Sequence, residues 1–195
     1  MAGGLSWPRR SDGLTFCGWL RLSWAGGGGF SSVAAVPSIL QSDEPKMGAE
    51  LYWYFVPCNP DLNAALQALR QREFRAGRYN PVMPSLYRGF SIGPDSPSPG
   101  AAHNSIEEAL EDAAEDGTRS ILDIQAVAAQ PDFCVAAPLS AGLLESHFGT
   151  TRPTREMIEN HMDFLEDLER GHGVYLVAYK DGAPDEIFFA GYSFD

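Results

Sequence analysis

Apolar positions along the chain fall into blocks with two different periods. Residues 51–56, Leu-Tyr-Trp-Tyr-Phe-Val, are aromatic and β-branched and read as a strand. Asn59-Pro60-Asp61 then opens a helix. Asn59 suits the capping position, and Pro60 suits the first helical position, where a missing N–H has no intrahelical partner to lose. Leu62, Ala65, Leu66 and Leu69 share one face of this helix, and Gly77 stops it. Ser105-Ile106-Glu107-Glu108 is a capping box that starts a second helix reaching residue 116, with Ile106, Ala109, Leu110 and Ala113 inward. Residues 120–127 and 133–137 read as strands, and residues 141–148 as a short helix. Thr154 caps a longer helix ending near Gly171, with Met157, His161, Leu165 and Leu168 on its buried face. Residues 174–180 and 186–193 are two strands joined through Asp181-Gly182-Ala183-Pro184 as a hairpin.

This order does not alternate regularly between strand and helix. It predicts an α+β domain: a small mixed or antiparallel sheet, about four helices, and a C-terminal β-hairpin. Between the first two helices, residues 81–100 hold five prolines and three glycines and form a long loop, either functional or an idle surface segment.

Composition sets the domain boundary. Residues 1–46 hold eight of the 20 glycines and three of the four tryptophans, and no helical or strand period persists there. The expectation is a disordered leader or an over-extended N-terminus, followed by a single domain over residues 47–195. The alternative is a tail that meets a partner through Trp7, Trp19 and Trp24. The net charge is −12 for the chain. Such a balance argues against nucleic acid and against anionic membrane surfaces as partners. No run of 18 apolar residues occurs. Cys17, Cys58 and Cys134 are isolated, with no C-x-x-C pair, which fits reduced thiols in a cytoplasmic protein, Cys58 and Cys134 at least partly buried. No metal-ligand spacing is present.

Candidate chemistry concentrates after the first helix. Arg70, Arg72, Arg75 and Arg78 fall within nine residues of an otherwise acidic chain. They either complement the negative end of the helix dipole or form an anion clamp. His147 and His161 fall in helical patterns as packing residues, whereas His103 and His172 are the more exposed candidates for acid–base work. The six acids of residues 107–116 read as a solvated face.

The run Gly77-Arg78-Tyr79-Asn80-Pro81, with Tyr87 following and then the Ser105 helix and the strand-like Ile121-Leu122-Asp123-Ile124, resembles the motif of the RES domain. That family comprises bacterial toxins of ADP-ribosyltransferase-like fold that act on NAD. The resemblance covers about 50 residues and implies NAD as a substrate rather than a resident cofactor. It implies Arg78 and Tyr87 at the NAD phosphates and nicotinamide ribose, and Glu111 polarising the ribose. Tyr79 would complete the catalytic group, with Arg75, Asn80 and His103 as flanking NAD contacts.

Two classes of function follow. One is a soluble intracellular binding or regulatory protein whose acidic surface faces a basic protein partner. The other is an NAD-consuming or ADP-ribosyl-transferring enzyme built on Arg78, Tyr79, Tyr87 and a carboxylate.

Overall fold

Strand β1 (Leu51–Pro57) alternates strictly between two interiors. Tyr52, Tyr54 and Val56 enter one hydrophobic cluster; Leu51, Trp53 and Phe55 pack against another on the opposite face. A strand buried on both faces reads as a continuous apolar run rather than a polar–apolar alternation, as this one does. A computed structural model describes residues 49–83 and 92–193, all within the unit Asp43–Asp195. The glycine-rich N-terminal stretch, Tyr87 and Phe194 lie outside the described residues.

The fold is α+β. Helix α1 (Leu62–Ala76) follows β1, and then come α2 (Ile106–Asp112), β2 (Ala126–Val127) and β3 (Val135–Pro138). Helices α3 (Ala141–Phe148) and α4 (Arg155–Asn160) precede the hairpin of β4 (Gly173–Lys180) and β5 (Ala183–Tyr192). The five strands form one mixed sheet in the order β1-β5-β4-β3-β2. β5 pairs antiparallel with both β1 and β4, while β2, β3 and β4 run parallel. Ile187 and Phe189 join the cluster under α1 and α2, and Phe188 and Ala190 join the one under α3 and α4, so the sheet is the middle layer of three. No helix among the described residues is long and apolar enough to cross a membrane.

Local chemistry explains where the elements depart from expectation. The α1 cap is Asp61, whose carboxylate accepts from the Ala64 N–H at 2.9 Å. Asn59 instead accepts from the Asp61 N–H, which leaves Pro60 outside the helix. Residues 120–127 are not one strand. Ser120 caps a 3₁₀ turn (Ile121–Asp123) by accepting from the Leu122 N–H, and only Ala126–Val127 pair. Side-chain bonds to the backbone have displaced a ladder there. The long helix after Thr154 stops at Asn160: His161 leaves helical geometry, is exposed, and a 3₁₀ turn (Met162–Leu165) buries Phe164 and Leu165 together. Helix α2 ends at Asp112 rather than residue 116. Cys58 is exposed, because β1 ends just before it. The hairpin turn is tighter than expected. Asp181 and Gly182 both have positive φ, the arrangement that matches strand twist, so β5 already begins at Ala183.

Candidate functional site

The exit of α1 is closed by Gly77 in the left-handed region, with φ of 73°. Its N–H donates to the Phe74 carbonyl, and the Arg78 N–H donates to the Glu73 carbonyl. A side chain at position 77 would set a Cβ 2.1 Å from the Gly100 carbonyl oxygen, so only glycine fits. That contact exists because the chain around Gly100 is strapped across the helix exit, its N–H donating to the Ala76 carbonyl at 3.0 Å.

The strap and the helix end enclose a charged centre. Glu73 is fully buried. Arg78 donates to both of its carboxylate oxygens, through Nε to Oε2 and through Nη2 to Oε1 at 2.9 Å, while Nη1 donates to Ser98 at 2.8 Å. Arg72 shares the same carboxylate through Nε at 2.7 Å. The Glu73 hydrogen bonds hold the Arg78 guanidinium above its ordinary range. Burial, and then the Glu73 charge, push the Tyr54 hydroxyl well above its own. All three nitrogens of Arg78 therefore already donate to protein oxygens, and an incoming phosphate would compete with a buried, bidentate carboxylate.

Beside this centre runs a second polar chain. Tyr79 is fully buried and stacks on Phe74 with ring centroids 5.6 Å apart. Its hydroxyl meets His103 Nδ1 at 2.9 Å, and His103 Nε2 lies 3.3 Å from the exposed Asp112 carboxylate. The Asn80 side chain donates to the Gly117 carbonyl, and the Asn80–Pro81 peptide that follows is cis. Tyr79 and His103 are thus brought together, while the Arg78 side chain turns to Glu73 and Ser98 and that of Asn80 to Gly117. Arg75 is exposed on α1, Glu111 is exposed on α2, and Tyr87 lies outside the described residues. The acid that meets His103 is Asp112, the neighbour of Glu111 in sequence. His103 is also less open than its loop position implied, with 12% of its side chain exposed.

A third polar cluster lies under α1. Asp123 Oδ1 accepts from both the N–H and the hydroxyl of Thr118, at 2.8 and 2.7 Å. Its Oδ2 meets no donor, and the residue is buried. Burial pushes this carboxyl up to about 6 against the downward pull of the Thr118 bonds. Arg70, also buried, donates to Gln67 and to the Leu122 carbonyl, and burial lowers its guanidinium. The Asp123 charge raises both the Tyr52 hydroxyl and the half-buried Cys134 thiol, after burial itself.

Sequence reasoning passed over Glu73, Ser98, Asp112 and Asp123. Glu73 carried a readable signal, as the one acid inside the arginine cluster. Asp123 carried none, because an acid at a strand-like position looks like a solvent-facing residue. The remaining histidines behave as boundary groups: His147 packs on Phe148 and Phe164 and lies 3.6 Å from Asp163, and His172 packs edge-on to Phe133. Among the described residues no cluster of His, Cys, Asp and Glu is arranged to hold a metal. The chain matches no family model, and it has no significant match among curated proteins or solved structures.

Proposed function

We propose that this domain is an intracellular binding or regulatory module that presents an acidic surface to a basic protein partner. One observation carries the reading: helix α2 and the turn after it expose a run of acids. Glu107, Glu108, Glu111, Asp112, Glu115 and Asp116 are all exposed, with no Lys or Arg among residues 104–118. Such a local negative field steers a cationic partner into contact. The isolated thiols Cys58 and Cys134 fit a reducing cytoplasm.

The test uses the full chain, a lysine- and arginine-rich peptide, and a Glu111→Gln/Glu115→Gln variant. Affinity should fall steeply with salt and weaken in the variant. Equal binding by both proteins, or none at about 1 mM peptide, refutes the reading. NAD titration is the companion measurement for the enzyme reading, which rests on Arg78 and its neighbours. Binding or cleavage of NAD that Arg78→Ala removes, with the variant still folded, would replace the binding module by an NAD-consuming enzyme.

A further inference from the structure

Strand β1 is the edge of the sheet. The Cys58 N–H donates to Asp185 and the Ser193 N–H donates to Glu50, which fixes the even-numbered residues as the hydrogen-bonded pairs with β5. Leu51, Trp53 and Phe55 therefore turn their N–H and C=O groups to the outer edge, where no partner occurs among the described residues. Edge strands are commonly blunted by charges, bulges or prolines. β1 carries no charged residue, and its one proline, Pro57, stands at its end.

Beside this edge, β1 and α1 part to leave a groove of about 210 Å³ lined by Val56, Pro57, Asn59, Ala65, Leu69 and Arg72, with Ala68 on its helix side. The groove is apolar except at Asn59 and Arg72. The Arg72 guanidinium lies 5.9 Å above the Tyr54 ring and is 44% exposed. It shares the single Glu73 carboxylate with Arg78, so two cations meet one anion. The rim of the groove is locally positive in an acidic protein.

We infer that this groove is a strand-addition site for an extended peptide segment that carries an apolar residue and, two positions later, an acidic one. The spacing comes from β1 itself. Val56 floors the apolar part, and Tyr54, two residues earlier, lies beneath Arg72. Residues two apart on an added strand point to the same face. An antiparallel strand, the more stable pairing, meets Val56 before Tyr54, giving the order apolar-x-acidic. Main-chain bonds to Leu51, Trp53 and Phe55 supply affinity, and the groove and Arg72 supply selectivity. This site is separate from the acidic helix α2, and its ligand has the opposite charge from the partner proposed above.

The probe is a blocked, threonine-rich peptide of about seven residues, the length of β1, with a central Leu-Thr-Glu. It is titrated into the full chain and followed by backbone amide resonances. Shifts should gather at Leu51, Trp53 and Phe55 and along residues 65–72. Glutamine in place of the glutamate should weaken binding about threefold, the contribution of a partly exposed ion pair. N-methylation of the peptide backbone should abolish it. Ala68 is exposed on the helix, so Ala68→Trp should fill the groove and block binding while the melting temperature holds. No shifts at about 1 mM peptide, or shifts gathered on α2 instead, overturn the inference. So does a dimer of the free chain that Ala68→Trp dissolves, which would assign the edge to a second copy.

Discussion

Replacing Asp123 by asparagine isolates the price of one buried charge. The carboxyl rises from its ordinary 3.8 to about 6 in the folded protein, because burial penalises the ionised form more than the Thr118 bonds favour it. A folded-state value above the unfolded one means the native state binds the proton more tightly. That stabilisation is fully present below pH 3.8 and is lost as pH rises through about 6. A displacement of this size corresponds to about 3 kcal/mol between the two limits. Asparagine keeps an oxygen for Thr118 and removes the charge. Asp123→Asn should therefore be more stable than the parent at pH 8, by up to about 3 kcal/mol, and the gap should close as pH falls to about 4. Urea denaturation of both proteins across that range measures the difference, and effects of other groups common to both cancel. A difference that stays flat with pH, or a variant less stable at pH 8, would refute the assignment of a strained buried carboxylate.

Three further outcomes follow from the same physics. Glu73→Ala leaves the buried Arg78 without its bidentate partner and should cost about 3–5 kcal/mol in urea denaturation; a loss under 1 kcal/mol, roughly that of a surface pair, would mean the pair is hydrated. Gly77→Ala forces both a left-handed alanine and a collision with the Gly100 carbonyl, so its melting temperature should fall by several degrees, whereas a neutral result would show that the strap lifts freely. Phe188→Ala empties the junction where Phe55, Trp53 and Phe164 converge and should cost about 3–5 kcal/mol, and an unchanged denaturation midpoint would refute that packing.

Features held by neighbouring residues were legible in the sequence. The apolar run of β1, the Gly77 stop, the Ser105 cap and the Asp181-Gly182 turn each depend on a few adjacent positions, and each is where the pattern puts it. Asp61 displaced Asn59 as the α1 cap because both side chains can accept an early amide and only the chain's entry angle decides between them. His161 could not be read, since the break there follows from the joint burial of Phe164 and Leu165 against a distant sheet. The candidate site divides in the same way. The arginines were conspicuous, but Arg78's link to Ser98 and Tyr79's link to His103 join residues 20 and 24 positions apart, and no local pattern encodes such distances.

The pairing of β1 with β5 sets a condition on how this domain is made. The Glu50 N–H donates to the Ser193 hydroxyl across a separation of 143 residues, and the whole β1 ladder lies within that closure. During synthesis β1 emerges first and β5 last. Its aromatic row stays without its ladder partner while more than a hundred residues are added, and contacts so distant in sequence are slow to close. The segment richest in exposed strand character is thus the one that waits longest, which makes aggregation of the nascent chain through β1 the main hazard of its folding.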